Sequence, residues 1–84
     1  MIRLRVQDNG DKWWWNNRTI HRANGPAIIS YSGQQLEWWL NDKRHRLDGP
    51  AVKLADSKLF WFINNQLVTE YEYMFLVNQG PTND

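Results

Sequence analysis

The side chains able to do chemistry in this chain come in matched pairs. His21-Arg22-Ala23-Asn24-Gly25-Pro26-Ala27 returns as His45-Arg46-Leu47-Asp48-Gly49-Pro50-Ala51, offset by 24 positions. An imidazole can move a proton near neutral pH or ligate a metal. A guanidinium can grip a carboxylate or a phosphate. Repetition argues for a different use. A catalytic group is seldom needed twice in one small domain, whereas a structural role must be filled once per unit. The repeated His21, Arg22, Gly25, Pro26 and His45, Asp48, Gly49, Pro50 are therefore expected to build the units. Each imidazole should tie its loop to a backbone carbonyl or a neighbouring Asp or Asn. Arg22 is expected to pair with an acid such as Asp48 of the adjacent unit. A metal centre needs three or four converging ligands, and two His with no Cys do not supply them. The missing Cys also excludes disulfides and cysteine nucleophiles. Thr19, Ser30, Ser32 and Ser57 have no accompanying Asp-His set, and no strand-to-helix glycine loop is present to cradle phosphate. The chain reads as a non-enzyme without metal or cofactor.

Aromatic residues are the second source of chemistry. Six of the 84 residues are Trp. In a strand, neighbouring side chains point to opposite faces. Repeat register then puts Trp14, Trp38 and Trp61 on one face. Trp15, Trp39 and Phe62 fall on the other, joined by Trp13 and Phe60. A sheet this small should leave one aromatic face for a partner, unless helix, loops and curvature cover both. Exposed Trp and Arg are the typical anchors of a binding surface. The expected contact residues are Trp13, Trp15, Trp39, Arg44 and Arg46. Lys43-Arg44-His45-Arg46, beside Trp38 and Trp39, could also hold a nucleotide or single strand by stacking and phosphate contact. The competing reading is a solvated turn. Residues 1–68 carry net charge +4 and residues 69–84 carry −3, for +1 in all. Duplex nucleic acid is not expected as a partner at that charge.

The elements that must position these groups are short strands. Asp8-Asn9-Gly10, Ser32-Gly33 and Asp56-Ser57 form one turn series. Asn16-Asn17, Asn41-Asp42 and Asn64-Asn65 form another. Between them lie β-prone runs at 2–6, 12–15, 27–31, 35–40, 51–54, 59–63 and 66–68. The fold class is therefore mainly β. We expect an antiparallel, twisted meander of about six or seven short strands, with turns every 8–12 residues. Gly25 and Gly49 are expected to supply backbone freedom. The C-terminus changes character. Thr69-Glu70-Tyr71-Glu72 is a capping box that should start one α-helix over residues 70–78, stopped by Gly80-Pro81. That helix is apolar nearly all round and should meet the sheet on one side and a second chain on another. A single domain is expected over 1–84, with repeats over 4–68, helix over 69–79 and a tail at 80–84. The longest apolar runs are five residues, far short of a membrane span, and the alternating start does not form a signal h-region.

The frame at 38–52, Trp-Trp-Leu-Asn-Asp-Lys-Arg-His-Arg-Leu-Asp-Gly-Pro-Ala-Val, resembles a tandem repeat of bacteriophage and giant-virus proteins. Its usual form is W-(W/Y)-L-N-G-K-x-H-R-x-D-G-P-A-(V/I). That repeat is in turn similar to MORN-type β-hairpin repeats. The first copy departs at Asn16, Arg18, Thr19 and Ile20, and the third lacks the His-Arg-x-Asp-Gly-Pro part. The resemblance covers about residues 4–68. It implies a viral accessory protein built on a twisted antiparallel sheet, and no particular activity. The leading expectation is a phage protein that binds and blocks a host protein in the host cytoplasm. An oligomer sequestering a nucleotide or nucleotide-derived immune signal is the alternative, and a self-assembling virion component a further one. A homodimer through the helix or an edge strand is expected.

Overall fold

A computed structural model describes residues 1–79. Ten strands and one helix follow in order: β1 (Ile2–Val6), β2 (Lys12–Asn16), β3 (Thr19–Ile20), β4 (Ile28–Ile29), β5 (Leu36–Glu37), β6 (Trp39–Leu40), β7 (Lys43–Arg44), β8 (Val52–Lys53), β9 (Leu59–Ile63), β10 (Gln66–Val68) and α1 (Glu70–Gln79). The main sheet is an antiparallel meander in the order β1-β2-β4-β5-β8-β9-β10, with β3 paired to β2; β6 and β7 form a separate hairpin. The strand count exceeds the sequence expectation for a local reason. Each Asn turn closes its own small hairpin, β2–β3, β6–β7 and β9–β10, and the run at 35–40 divides between Glu37 and Trp39 into β5 and β6.

Turn chemistry explains these breaks. Asn41-Asp42 and Asn64-Asn65 both hold positive φ at two successive residues, the requirement of a tight hairpin turn whose twist matches the strands. Gly10, Gly33 and Ser57 hold the left-handed residue of the other turn series, with φ of 92°, 78° and 75°. Gln7 N–H bonds Asp11 O and Leu54 N–H bonds Lys58 O, but Ser30 N–H reaches on to Gln35 O. The turn after Ile29 therefore contains one more residue, which is why the second repeat offset is 23 rather than 24. Gly25 and Gly49 have no positive φ, so conformational freedom is not why they are glycine. A Cβ would lie 3.2 Å from Arg22 Cζ in the first case and 2.8 Å from Arg46 Cζ in the second. The guanidinium lies across the bare Cα, and a side chain would displace it.

The two unit junctions share one hydrogen-bond pattern. Asn41 N–H donates to His21 Nδ1 at 2.9 Å, and Asn64 N–H donates to His45 Nδ1 at 2.9 Å. Arg22 N–H meets Trp39 O, and Arg46 N–H meets Phe62 O. Ile20 N–H donates to Asp42 Oδ1, and Arg44 N–H to Asn65 Oδ1. The imidazole thus accepts from the backbone N–H of an Asn in the next unit, where the sequence suggested a tie to a carbonyl or to a neighbouring Asp or Asn. This fixes the proton of each ring on Nε2. Arg22 makes no ion pair with Asp48; it is Arg46 that pairs with Asp48, inside its own loop, at 2.9 Å.

The body is thin, with principal extents of 45 × 32 × 17 Å. Among the described residues, the buried hydrophobic ones are Ala27, Ala51, Val52 and Tyr73. Ala27 and Ala51, the last residue of each Gly-Pro-Ala, are 0% exposed. Both lie in the middle of the ladder: Trp14 N–H bonds Ala27 O, and Trp38 N–H bonds Ala51 O. The capping box forms as the sequence expects, with Thr69 N–H to Glu72 Oε1 at 2.9 Å and Glu72 N–H to Thr69 Oγ1 at 3.0 Å. The expected Gly80-Pro81 stop and the tail at 80–84 lie outside the described residues.

Candidate binding surfaces

One face of the sheet is a ladder of rings and cations. Arg22 lies over Trp14 at 4.1 Å and Arg46 over Trp38 at 3.8 Å. Each guanidinium also donates from NH1 to the proline carbonyl of its own loop, Pro26 O at 3.2 Å and Pro50 O at 3.0 Å. The third unit has no arginine at this place. Tyr73 of α1 stands there instead, its ring 6.3 Å from Trp61 and tilted by 54°. Its hydroxyl donates to Arg46 O at 2.7 Å and accepts from Gly49 N–H at 3.0 Å. Burial pushes the phenol above its ordinary pKa, aided by Asp48 and opposed by the Gly49 hydrogen bond and Arg46. Tyr73 is 3% exposed and is the fixing point of α1; Val77, one turn on, is half-buried.

The opposite face carries most of the contact residues expected from sequence. Trp13 and Trp15 stack at 5.9 Å, and neither buried indole N–H has a hydrogen-bond partner among the described residues. Arg5 and Arg3 stand across from them in the β1–β2 ladder. Farther along, Arg44 lies 4.8 Å from Trp39 and 5.4 Å from Phe62. Trp39 Nε1 donates to Glu37 Oε1 at 3.0 Å, and Arg44 Nε approaches the same oxygen at 3.5 Å, an ion-pair distance. Trp13, Trp15, Trp39 and Arg44 therefore share a face. Arg46 does not; it belongs to the Trp14–Trp38–Trp61 side. All six Trp are half-buried, so no broad indole patch stands free, and none is fully enclosed.

Several large apolar groups are exposed, Tyr31, Leu47 and Leu67 within the repeats among them, and two clusters stand out. On β1 they are Ile2, Leu4 and Val6, all on one side of an edge strand. On α1, Tyr71 is 82% exposed and Phe75 58%, with Met74 and Leu76 beside them. Val68, Tyr71, Glu72, Phe75 and Leu76 line a shallow apolar groove of about 290 Å³ on the outer side of the helix. The sequence signal for this surface was present, in a ten-residue helix apolar all round that can bury only one stripe. A second groove of about 470 Å³ separates the two His-Arg loops, lined by Arg22, Asn24, Gly25, Trp38, His45 and Arg46 among others. Because Nδ1 of His45 is taken by Asn64 N–H, its ring offers this groove only the donor Nε2–H.

Among the described residues, no three His, Cys, Asp or Glu gather into a set able to hold a metal ion, and no helix is long and apolar enough to cross a membrane. Comparison with family models, curated proteins and solved structures gives no match.

Proposed function

We propose that this chain is a non-enzymatic viral accessory protein that docks on a host protein and blocks it, using the outer face of α1. The observation that carries the reading is the helix surface itself. A ten-residue helix is marginal alone in water; this one is held by Tyr73 and Val77 while Tyr71, Met74, Phe75 and Leu76 face outward. Side chains of this size together offer an apolar patch on the order of 500 Å², the range in which patches on small proteins are functional. The viral setting rests on the resemblance of residues 38–52 to the phage and giant-virus repeat. Glu70 and Glu72 in the first turn, with no base in the last, favour a partner whose apolar surface has a basic rim.

The test compares three baits in host extract: the parent chain, Phe75→Asp and Trp15→Ala. A host protein retained by the parent and by Trp15→Ala, lost with Phe75→Asp, and reduced in activity by the parent chain supports the proposal. Equal retention on parent and Phe75→Asp would place the contact elsewhere.

A further inference from the structure

The groove between the two His-Arg loops borders the backbone groups that correspond to those holding the Tyr73 hydroxyl one unit later; the place over Trp38 that answers to Tyr73's place over Trp61 is taken by Arg46. The hydrogen bonds at the two junctions correspond one for one. Moving Tyr73's surroundings back by one unit converts Gly49 into Gly25, Arg46 into Arg22, Trp61 into Trp38 and Asp48 into Asn24. All four counterparts line the groove. In the later slot, Gly49 N–H donates to the tyrosine hydroxyl and Arg46 O accepts from it. No described residue plays that part for Gly25 N–H or Arg22 O.

The slots differ in two respects that refine the occupant. Arg46 already lies on Trp38 at 3.8 Å, so an incoming ring meets a guanidinium and the indole edge, a favourable setting for an electron-rich aromatic. Asn24 stands where Asp48 stands, so no carboxylate of the described residues pairs with Arg22, while Arg46 Nε is held by Asp48 at 2.9 Å. The groove therefore offers a place for a phenol next to Arg22, with Asp48, held by Arg46, also among its lining.

We propose that the groove between residues 22–25 and 45–48 binds a tyrosine side chain, preceded by an acidic residue, of a partner polypeptide. The hydroxyl bridges Gly25 N–H and Arg22 O, the ring rests against Arg46 and Trp38, and the neighbouring carboxylate pairs with Arg22. This site is separate from the outer face of α1 and does not depend on the docking proposed there.

The test is a titration of the ¹⁵N-labelled chain with N-acetyl-Glu-Tyr-amide, read at the Gly25 amide and the Trp38 indole. N-acetyl-Glu-Phe-amide and AMP serve as competing probes. Loss of the bridging hydroxyl should raise the half-saturation concentration about three- to tenfold for the Phe peptide. Asn24→Asp, at an exposed position, gives Arg22 the carboxylate that Arg46 already has. It should weaken the Glu-Tyr probe several-fold and leave N-acetyl-Gln-Tyr-amide nearly unchanged. A Gly25 amide that does not respond to the Tyr peptide overturns the proposal. So does saturation by AMP at lower concentration, which would make the groove a nucleotide site. A Gly25 shift on concentrating the protein alone, abolished by Tyr71→Ala, would replace the foreign partner with a second copy and equally defeat the assignment. Phe75→Asp should leave the titration untouched, which separates this outcome from the fate of the helix-face reading.

Discussion

Tyr73→Phe removes one oxygen and isolates what fastens the helix to the repeats. The ring can keep its place 6.3 Å from Trp61. What disappears is the donation to Arg46 O at 2.7 Å and the acceptance from Gly49 N–H at 3.0 Å. Each such bond contributes about 0.5–1.5 kcal/mol net, and a partly buried group left without a partner adds to the loss. Together they give a destabilisation of about 1–3 kcal/mol. For a domain of this size each kcal/mol lowers Tm by about 4–8 °C, so the drop should fall between roughly 5 and 20 °C. Thermal unfolding followed by Trp fluorescence and near-UV dichroism reads it, because Trp61 is the adjoining ring. Tyr71→Phe is the control, since that residue is 82% exposed and should unfold with the parent. Alkaline pH supplies an independent arm. Burial raises the Tyr73 pKa in the folded chain, so the fold favours the neutral phenol. The corresponding stability is complete below about pH 10, the value expected of the unfolded chain, and is lost as pH rises through the higher folded value. The parent should weaken across that window and Tyr73→Phe should lack this component of the decline. A variant that melts with the parent and shows the same alkaline slope would refute the assignment of Tyr73 as the anchor.

The remaining predictions concern the repeat itself. Gly49→Ala places a Cβ 2.8 Å from Arg46 Cζ, and the crowding should cost about 1–3 kcal/mol; Gly25→Ala, at 3.2 Å, should cost less, and denaturant midpoints rank the two. His45→Ala removes the acceptor for Asn64 N–H and should destabilise by about 1–2 kcal/mol, while faster amide exchange at Asn64 localises the effect. Ser57 is the serine of a turn series otherwise closed by glycine, at φ 75°, so Ser57→Gly should raise stability by about 0.5–1 kcal/mol, measurable as a higher melting temperature. Phe75→Asp on the exposed side of α1 should unfold within about 0.5 kcal/mol of the parent, so any loss of partner binding reports the surface.

Much of the architecture could be read from residue order because it rests on local chemistry. Asn41-Asp42 and Asn64-Asn65 take successive positive φ and close hairpins, and at Asn16-Asn17 the positive φ falls on Asn17. Thr69 and Glu72 start a helix by satisfying each other's backbone N–H groups. The recurrence of Trp, His-Arg and Gly-Pro-Ala at one spacing reveals units that must make the same bonds. Contacts between units were less legible. That His21 and His45 accept from the following unit, and that Arg46 keeps Asp48 within its own loop, depends on how far each unit rotates against the next. How much of each indole stays open was illegible for the same reason: all six rings are half-buried, with Arg22, Arg44 and Arg46 lying over Trp14, Trp39 and Trp38.

Residue order alone determined the strand-and-turn alphabet, the repeat offset and the helix start, because each depends on interactions spanning a few residues. Tertiary structure alone decided which aromatic surfaces remain open and that Tyr73 reaches back to Gly49 and Arg46. Those outcomes depend on where a helix lands after some 25 intervening residues, a distance over which local preferences carry no directional information.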